Sequence, residues 1–113
     1  MNYHAHIYWN SAEQRIWALH LRSLLRKLGC TIGRPWDTPI GPHPLAMFQA
    51  VYNSETQSIV ENTLMTQRNG LSILLHEDTG NDVRDHTEGA RWLGNKLKLD
   101  IEWLREYARG HHA

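Results

Sequence analysis

Residues 3–9 read Tyr3-His4-Ala5-His6-Ile7-Tyr8-Trp9 and alternate strictly in character. Side chains of a strand point alternately to its two faces, so Tyr3, Ala5, Ile7 and Trp9 share one face and His4, His6 and Tyr8 the other. This period of two predicts a strand with one apolar face to bury. The opposite face carries two imidazoles and a phenol. Residues 11–28 follow with a different period. Ser11 is suited to cap a helix, and Gln14 three residues on completes the pattern of a capping box. Ile16, Trp17, Leu21, Leu24, Leu25 and Leu28 recur at helical spacing, and Gly29 supplies the stop.

The remaining segments extend this beginning. Residues 30–36 are read as a second strand. Residues 37–44 hold Pro39, Gly41, Pro42 and Pro44, which fix a stiff loop. Residues 45–52 read as a third strand and residues 55–68 as a second helix with Ile59, Val60, Leu64 and Met65 as its apolar stripe, ended by Asn69-Gly70. In residues 71–76, Leu71, Ile73 and Leu75 face one way and Ser72, Leu74 and His76 the other. The order βαββαβ predicts an α+β, ferredoxin-like sandwich formed by one domain over 1–113. In that topology the first strand lies between the third and fourth. Both helices cover the face of Ala5, Ile7, Leu71, Ile73 and Leu75, which leaves His4, His6, Tyr8 and His76 on the open face. The start of the first strand then lies beside the end of the fourth, bringing His4 or His6 near His76. A C-terminal helical extension is expected after a polar loop at 77–87: one short helix from Thr87 carrying Ala90, Trp92, Leu93 and Leu97, another over 99–107 packing Trp103 and Leu104, and a frayed tail at 110–113.

Bulk composition narrows the function classes. Twelve basic and twelve acidic residues give zero net charge with neutral histidine, so there is no basic excess to bind a nucleic-acid backbone. Zero net charge also does little to oppose self-association. One cysteine, Cys30, excludes an intrachain disulfide and any cysteine-based zinc motif, and points to a reducing compartment. There is no secretory leader pattern, and no apolar run approaches the roughly 20 residues of a membrane helix. A soluble, cytoplasmic protein is expected.

Eight histidines are many for 113 residues. Three stand where the backbone is rigid: His6 in the first strand, His43 between Pro42 and Pro44, and His76 at the end of an apolar strand. Imidazole is the commonest metal ligand, and a histidine set without cysteine suits Zn, Fe(II), Cu or Ni. The His4-x-His6 pair puts both rings on one face, about 7 Å apart at the backbone. Each has a plainer reading: solvent-facing rings for His4 and His6, a turn residue for His43, a strand-end ring bonded to backbone for His76. Asp82, Asp85 and His86 offer a carboxylate or a group that orients a ligating imidazole, or simply cap a helix. His20 reads as structural or exposed, and His111 and His112 receive no role.

The segments His4-Ala5-His6-Ile7-Tyr8, Gly41-Pro42-His43-Pro44, residues 75–87 (LHEDTGNDVRDHT) and Trp92-Leu93-Gly94 together resemble the DOPA 4,5-dioxygenase family, in order and over nearly the whole chain. The resemblance implies a small, cytosolic, ferredoxin-like protein, commonly a homodimer, whose fungal relatives open the catechol ring of DOPA beside a hydroxyl with O2 and non-haem iron. It implies Fe(II) held by His6, His43 and His76, with His4 or a nearby carboxylate open as a further ligand, and with Zn or another divalent metal in the isolated protein as an alternative. His4 or His86 would be the acid–base group, Tyr8 a hydrogen-bond partner of substrate oxygen, and Arg34 or Arg84 the partner of a substrate carboxylate. Glu77 departs from the family pattern, in which a proline often follows the strand-end histidine. His43 poses a geometric question, because the third strand starts beside the end of the first strand. The loop must fold back over the open face or come from a second subunit, and a dimer stacking open faces would shield the site. Two other functions stay open: a non-enzymatic dimer that binds a small aromatic metabolite, and a hydrolytic or isomerising Zn enzyme using the same histidines.

Overall fold

The β1 strand, Asn2–Trp9, lies at the centre of the sheet because its alternation gives both of its faces something to bury. We describe a computed structural model, covering the backbone of residues 1–112 and the side chains of 1–110. After β1 come α1 (Ala12–Lys27), β2 (Thr31–Ile32), β3 (Ala46–Asn53), α2 (Gln57–Gln67), β4 (Ile73–Glu77), α3 (Asp82–Asp85), β5 (Arg91–Leu93) and α4 (Ile101–His112). The sheet order is β2-β3-β1-β4-β5, antiparallel throughout. This is the expected ferredoxin-like α+β arrangement with a C-terminal helix, widened by one edge strand.

The first core lies between the sheet and the two long helices. Ala5, Ile7, Phe48, Ile73 and Leu75 supply the sheet side. α1 contributes Ala18, Leu21 and Leu25, and α2 contributes Val60 and Leu64. The apolar stripes drawn from the sequence are therefore shifted. Ile16 and Trp17 are 68% and 46% exposed, and Ile59 and Met65 are 54% and 57% exposed. They flank the true contact faces rather than sit in them. Ser11 caps α1 as expected, its hydroxyl accepting from the Gln14 amide at 3.1 Å. The Gln14 side chain returns one residue earlier than a capping box would, accepting from the Asn10 amide.

The other sheet face is not left open. Tyr8, Met47 and Leu74 are buried there under Trp36, Ile40, Leu45, Trp92, Leu97 and Leu99 of the same chain. The chain thus supplies its own cover, which removes the need for a second copy to shield this face. Part of the cover comes from a segment whose structure differs from expectation. Residues 91–93 form strand β5, where a helix from Thr87 was expected. Trp92 pairs with Leu74 and Leu93 with Ile73 across the β4 edge. An edge strand lets Leu93 join the first core and Trp92 the second, a division that neighbouring residues of a helix cannot make. The loop expected at 77–87 contains the short helix α3, capped by Asn81, which accepts from the Arg84 amide at 3.1 Å. α4 is capped by Asp100, whose carboxylate accepts from the Trp103 amide, and it buries Leu104. It runs to His112, through most of the tail expected to fray. Ala113 and the side chains of His111 and His112 lie outside the described residues.

Candidate metal centre

Strand register builds the site first. His4 stands directly opposite His76 in the β1–β4 ladder, and His6 follows two residues along on the same face. The rings of His4 and His76 are 5.1 Å apart and those of His6 and His76 5.2 Å. The His43 loop folds back over this face within the same chain, so no partner subunit is needed to bring His43 in. Its ring lies 4.4 Å from that of His6. Gly41, at φ +58°, makes the turn, a conformation that side chains other than glycine resist. The Asp100 amide then donates to the Pro42 carbonyl at 2.8 Å, and the Trp103 ring packs against Gly41. Helix α3 delivers the fifth imidazole: His86 lies 4.5 Å from His76, 5.7 Å from His6 and 6.0 Å from His43.

Hydrogen bonds fix how these rings face. His76 Nδ1–H donates to the Glu77 carbonyl at 2.8 Å, and His86 Nδ1–H donates to the Asp82 carbonyl at 2.7 Å. A carbonyl only accepts, so in the neutral rings Nε2 of both keeps its lone pair. His6 Nε2 lies 3.1 Å from His76 Nε2 and must carry the proton between them. That leaves His6 Nδ1 as a bare lone pair, buried and without a partner. The Tyr8 hydroxyl is hydrogen-bonded to His43 Nδ1 at 2.7 Å. Backbone and phenol partners of this kind are the outer groups that orient ligating imidazoles. Glu77 acts through its carbonyl, which any residue supplies, so its departure from the family's proline leaves His76 undisturbed.

The donor set fits a divalent ion. His4, His6 and His76 bring one ring nitrogen each within 4.8 Å of one another, and so do His6, His43 and His86. His6 belongs to both triads. His43 and His76, joined with His6 in the sequence reading, thus come one from each. His6 Nε2 and His76 Nε2, facing at 3.1 Å, stand near the separation of two nitrogens bound to one ion at about 2.0–2.1 Å each. Burial also keeps these rings neutral, as ligands must be. It drives His6 well below the usual imidazole range, reinforced by His43 and His76. Burial takes His43 to about 3, helped by His86 and His76. It takes His76 to about 4, against the opposing pull of the Glu77 carbonyl. His4 is also lowered by burial, partly offset by Asp78, whose carboxylate lies 3.5 Å from its Nε2.

The carboxylates of this region serve as supports. No carboxylate belongs to either triad among the described residues. Buried Asp85 clasps the loop before α3, accepting from the Thr79 amide at 2.9 Å and the Thr79 hydroxyl at 2.6 Å. Asp82 orients His86 through its backbone only. Of the arginines singled out in the sequence, Arg34 lies over the Trp36 ring, 3.9 Å from its centroid. Arg84 lines a cavity with Tyr3, Glu77 and Arg91. Neither lines the cavity that His86 borders, which measures about 420 Å³ and is walled by Trp92, Leu97 and Leu99. Sequence reasoning missed this wall and also the Asp78 partner of His4, because both depend on where residues 78–99 return to the sheet.

The sequence profile of the Dopa 4,5-dioxygenase family matches residues 3–103. The chain belongs to this family. Among its relatives is the DOPA 4,5-dioxygenase of Amanita muscaria, 34% identical over 108 residues, with 88% of this chain and 47% of that protein covered. An uncharacterised 21.2 kDa protein of Botryotinia fuckeliana is 32% identical over 112 residues, with 90% of this chain and 61% of that protein covered. The chain therefore spans roughly half to three-fifths of the length of these two relatives. A crystal structure of a candidate dioxygenase from Nostoc punctiforme is 40% identical, with a TM-score of 0.90 over 94% of this chain and 92% of that one. The family match spans all five clustered histidines.

Proposed function

We propose that this member of the family is an extradiol ring-cleaving dioxygenase, acting on a catechol such as DOPA or a related aromatic with O2 and non-haem Fe(II). The observation that carries the reading is the pair of buried Nε2 atoms of His6 and His76, which face each other at 3.1 Å where two imidazole triads join. Family membership supplies the reaction class.

In this reading His6, His43 and His76 would hold the ion, His6 and His76 through the Nε2 atoms that face each other. Bound there, iron supplies the Lewis acidity and redox chemistry that O2 requires. The chain's own residues do the rest. His4 is only partly exposed and its Nε2 lies beside Asp78, which suits it to take the catechol proton at Nδ1 and pass one outward from Nε2. His86 presents Nε2 inward from a ring anchored at Nδ1, and serves as the second proton carrier. Tyr8 holds His43 in place. Trp36, Trp92, Leu97 and Leu99 cover the sheet face and restrict water. Because both triads are wholly imidazole, a Zn-dependent hydrolytic or isomerising activity is the second reading.

The histidine cluster is not at the helix face, so association through Ile16, Trp17, Ile59 and Met65 leaves it free. These exposed apolar groups and the zero net charge support a homodimer, testable by light scattering. No helix is long and apolar enough to cross a membrane among the described residues, and the lone buried Cys30 agrees with a cytoplasmic setting.

The test is anaerobic loading with Fe(II), addition of L-DOPA or caffeate, then admission of air. O2 uptake with a yellow ring-opened product, lost in His6→Ala, His43→Ala and His76→Ala, supports the assignment. Iron loss confined to His4→Ala and His86→Ala, made alongside, moves the ligand set, and no O2 uptake with any catechol ends the dioxygenase reading.

A further inference from the structure

The cavity beside His86 has a chemical asymmetry. Trp92, Leu97 and Leu99 form apolar walls, while Lys96 and Lys98 line it from the same short segment. No acidic side chain lines it among the described residues. Both lysines are exposed. In a chain of zero net charge, two cations lining one cavity that no acidic side chain lines make a local positive field that draws an anion. The lysines are also placed, not scattered. Leu97 and Leu99 pack into the second apolar cluster and fix the backbone between and beside them. Gly94, at φ +77°, turns the chain into this segment directly after β5. Trp92 meanwhile packs on Tyr8, ring centroids 6.0 Å apart at 22°, and Tyr8 holds His43. One wall of the cavity is thus tied to the imidazole cluster through two routes, His86 and the Trp92–Tyr8 stack. Its volume of about 420 Å³ falls within the usual range for a small-molecule site.

We infer that Lys96 and Lys98 bind the carboxylate of an aromatic acid whose ring lies along Trp92 and whose far end reaches His86. The substrate class is then an anionic single-ring aromatic, selected by charge at one end. Identifying the far end as a diol rests on the dioxygenase reading, whereas the carboxylate preference does not. Lysine suits this task, because its ammonium is a mobile point charge on a flexible stem and can follow acids of different chain length.

The experiment measures binding under argon by titration calorimetry, so that turnover plays no part. The ligands are caffeate (anionic), 4-methylcatechol (neutral) and dopamine (cationic). The wild-type protein should bind caffeate about tenfold or more tightly than 4-methylcatechol, the size expected of charge-assisted contacts, and the gap should shrink as salt rises. Lys96→Gln with Lys98→Gln should abolish the gap and leave 4-methylcatechol binding unchanged, and Lys96→Glu with Lys98→Glu should turn the preference toward dopamine. Exposed positions keep these variants folded, which circular dichroism checks. A caffeate preference that survives the double Gln variant, or no preference in the wild type, overturns the inference. Absence of O2 uptake in air, with the lysine-dependent preference intact, overturns the dioxygenase reading alone.

Discussion

The Nε2 atoms of His6 and His76 face each other at 3.1 Å, and the single proton between them belongs to His6. An ion shared by the two rings would take the place of that proton. His6→Leu should abolish metal uptake and the rise in Tm that metal confers on the wild type. Stability without metal should change by only about 1 kcal/mol, because losing the orphaned Nδ1 offsets the bond lost by His76. Metal content by mass spectrometry and thermal melts with and without metal read both effects. A variant that still takes up one ion per chain would remove His6 from the ligand set.

Buried neutral imidazoles predict a direction for pH dependence. Unfolded histidines take up protons near pH 6.5, whereas His43 and His76 refuse them until about 3 and 4. The unfolded state therefore binds more protons across this interval. Stability of the metal-free protein should be greatest above pH 6.5 and fall as pH drops toward 4, by up to about 1.4 kcal/mol per pH unit for each histidine. Urea denaturation from pH 7.5 to 4.5 measures the slope. A flat profile would mean that these rings are already solvated in the folded protein.

Tyr8→Phe keeps the buried ring and deletes the partner of His43. The expected cost is about 1–2 kcal/mol, with metal affinity lower by about tenfold or more. Competition with a chelating dye gives the affinity, and unchanged affinity would show that the phenol has no hold on His43.

Asp85→Ala removes both acceptors of Thr79 from a buried position. A loss of about 2–3 kcal/mol is expected, together with faster amide exchange through residues 79–86. Exchange confined to Thr79 itself would show that the clasp does not hold His86.

Gly94→Ala should cost about 1–2 kcal/mol from its left-handed backbone alone. A methyl there would also stand 3.0 Å from the Leu71 carbonyl and closer still to Arg68 Nη1, at 2.5 Å. A melt with unchanged Tm would contradict this.

Much of the site was legible because β1 has an unambiguous period. Alternation alone placed His4, His6 and Tyr8 on one face, and the βαββαβ order brought His76 to them. The rest depended on contacts between distant segments. Arg91-Trp92-Leu93 is too short for a period to show, so β5 read as helix and the Trp92–Tyr8 stack was invisible. Ile16, Trp17, Ile59 and Met65 match the helical period about as well as their buried neighbours do, and only the position of the sheet separates the two. The fold-back of His43 depends on Asp100 and Trp103, nearly sixty residues downstream, for which no local pattern exists.

That last contact sets an order of assembly. All five histidines have been incorporated by residue 86, yet the loop carrying His43 gains its tie at Pro42 and its packing at Gly41 from the start of α4. Synthesis runs from the N-terminus, so the growing chain holds a half-built chelator, His4, His6 and His76 on adjacent strands, before the second half is locked. In the proposed metal site the second triad is locked last, when the C-terminal helix docks.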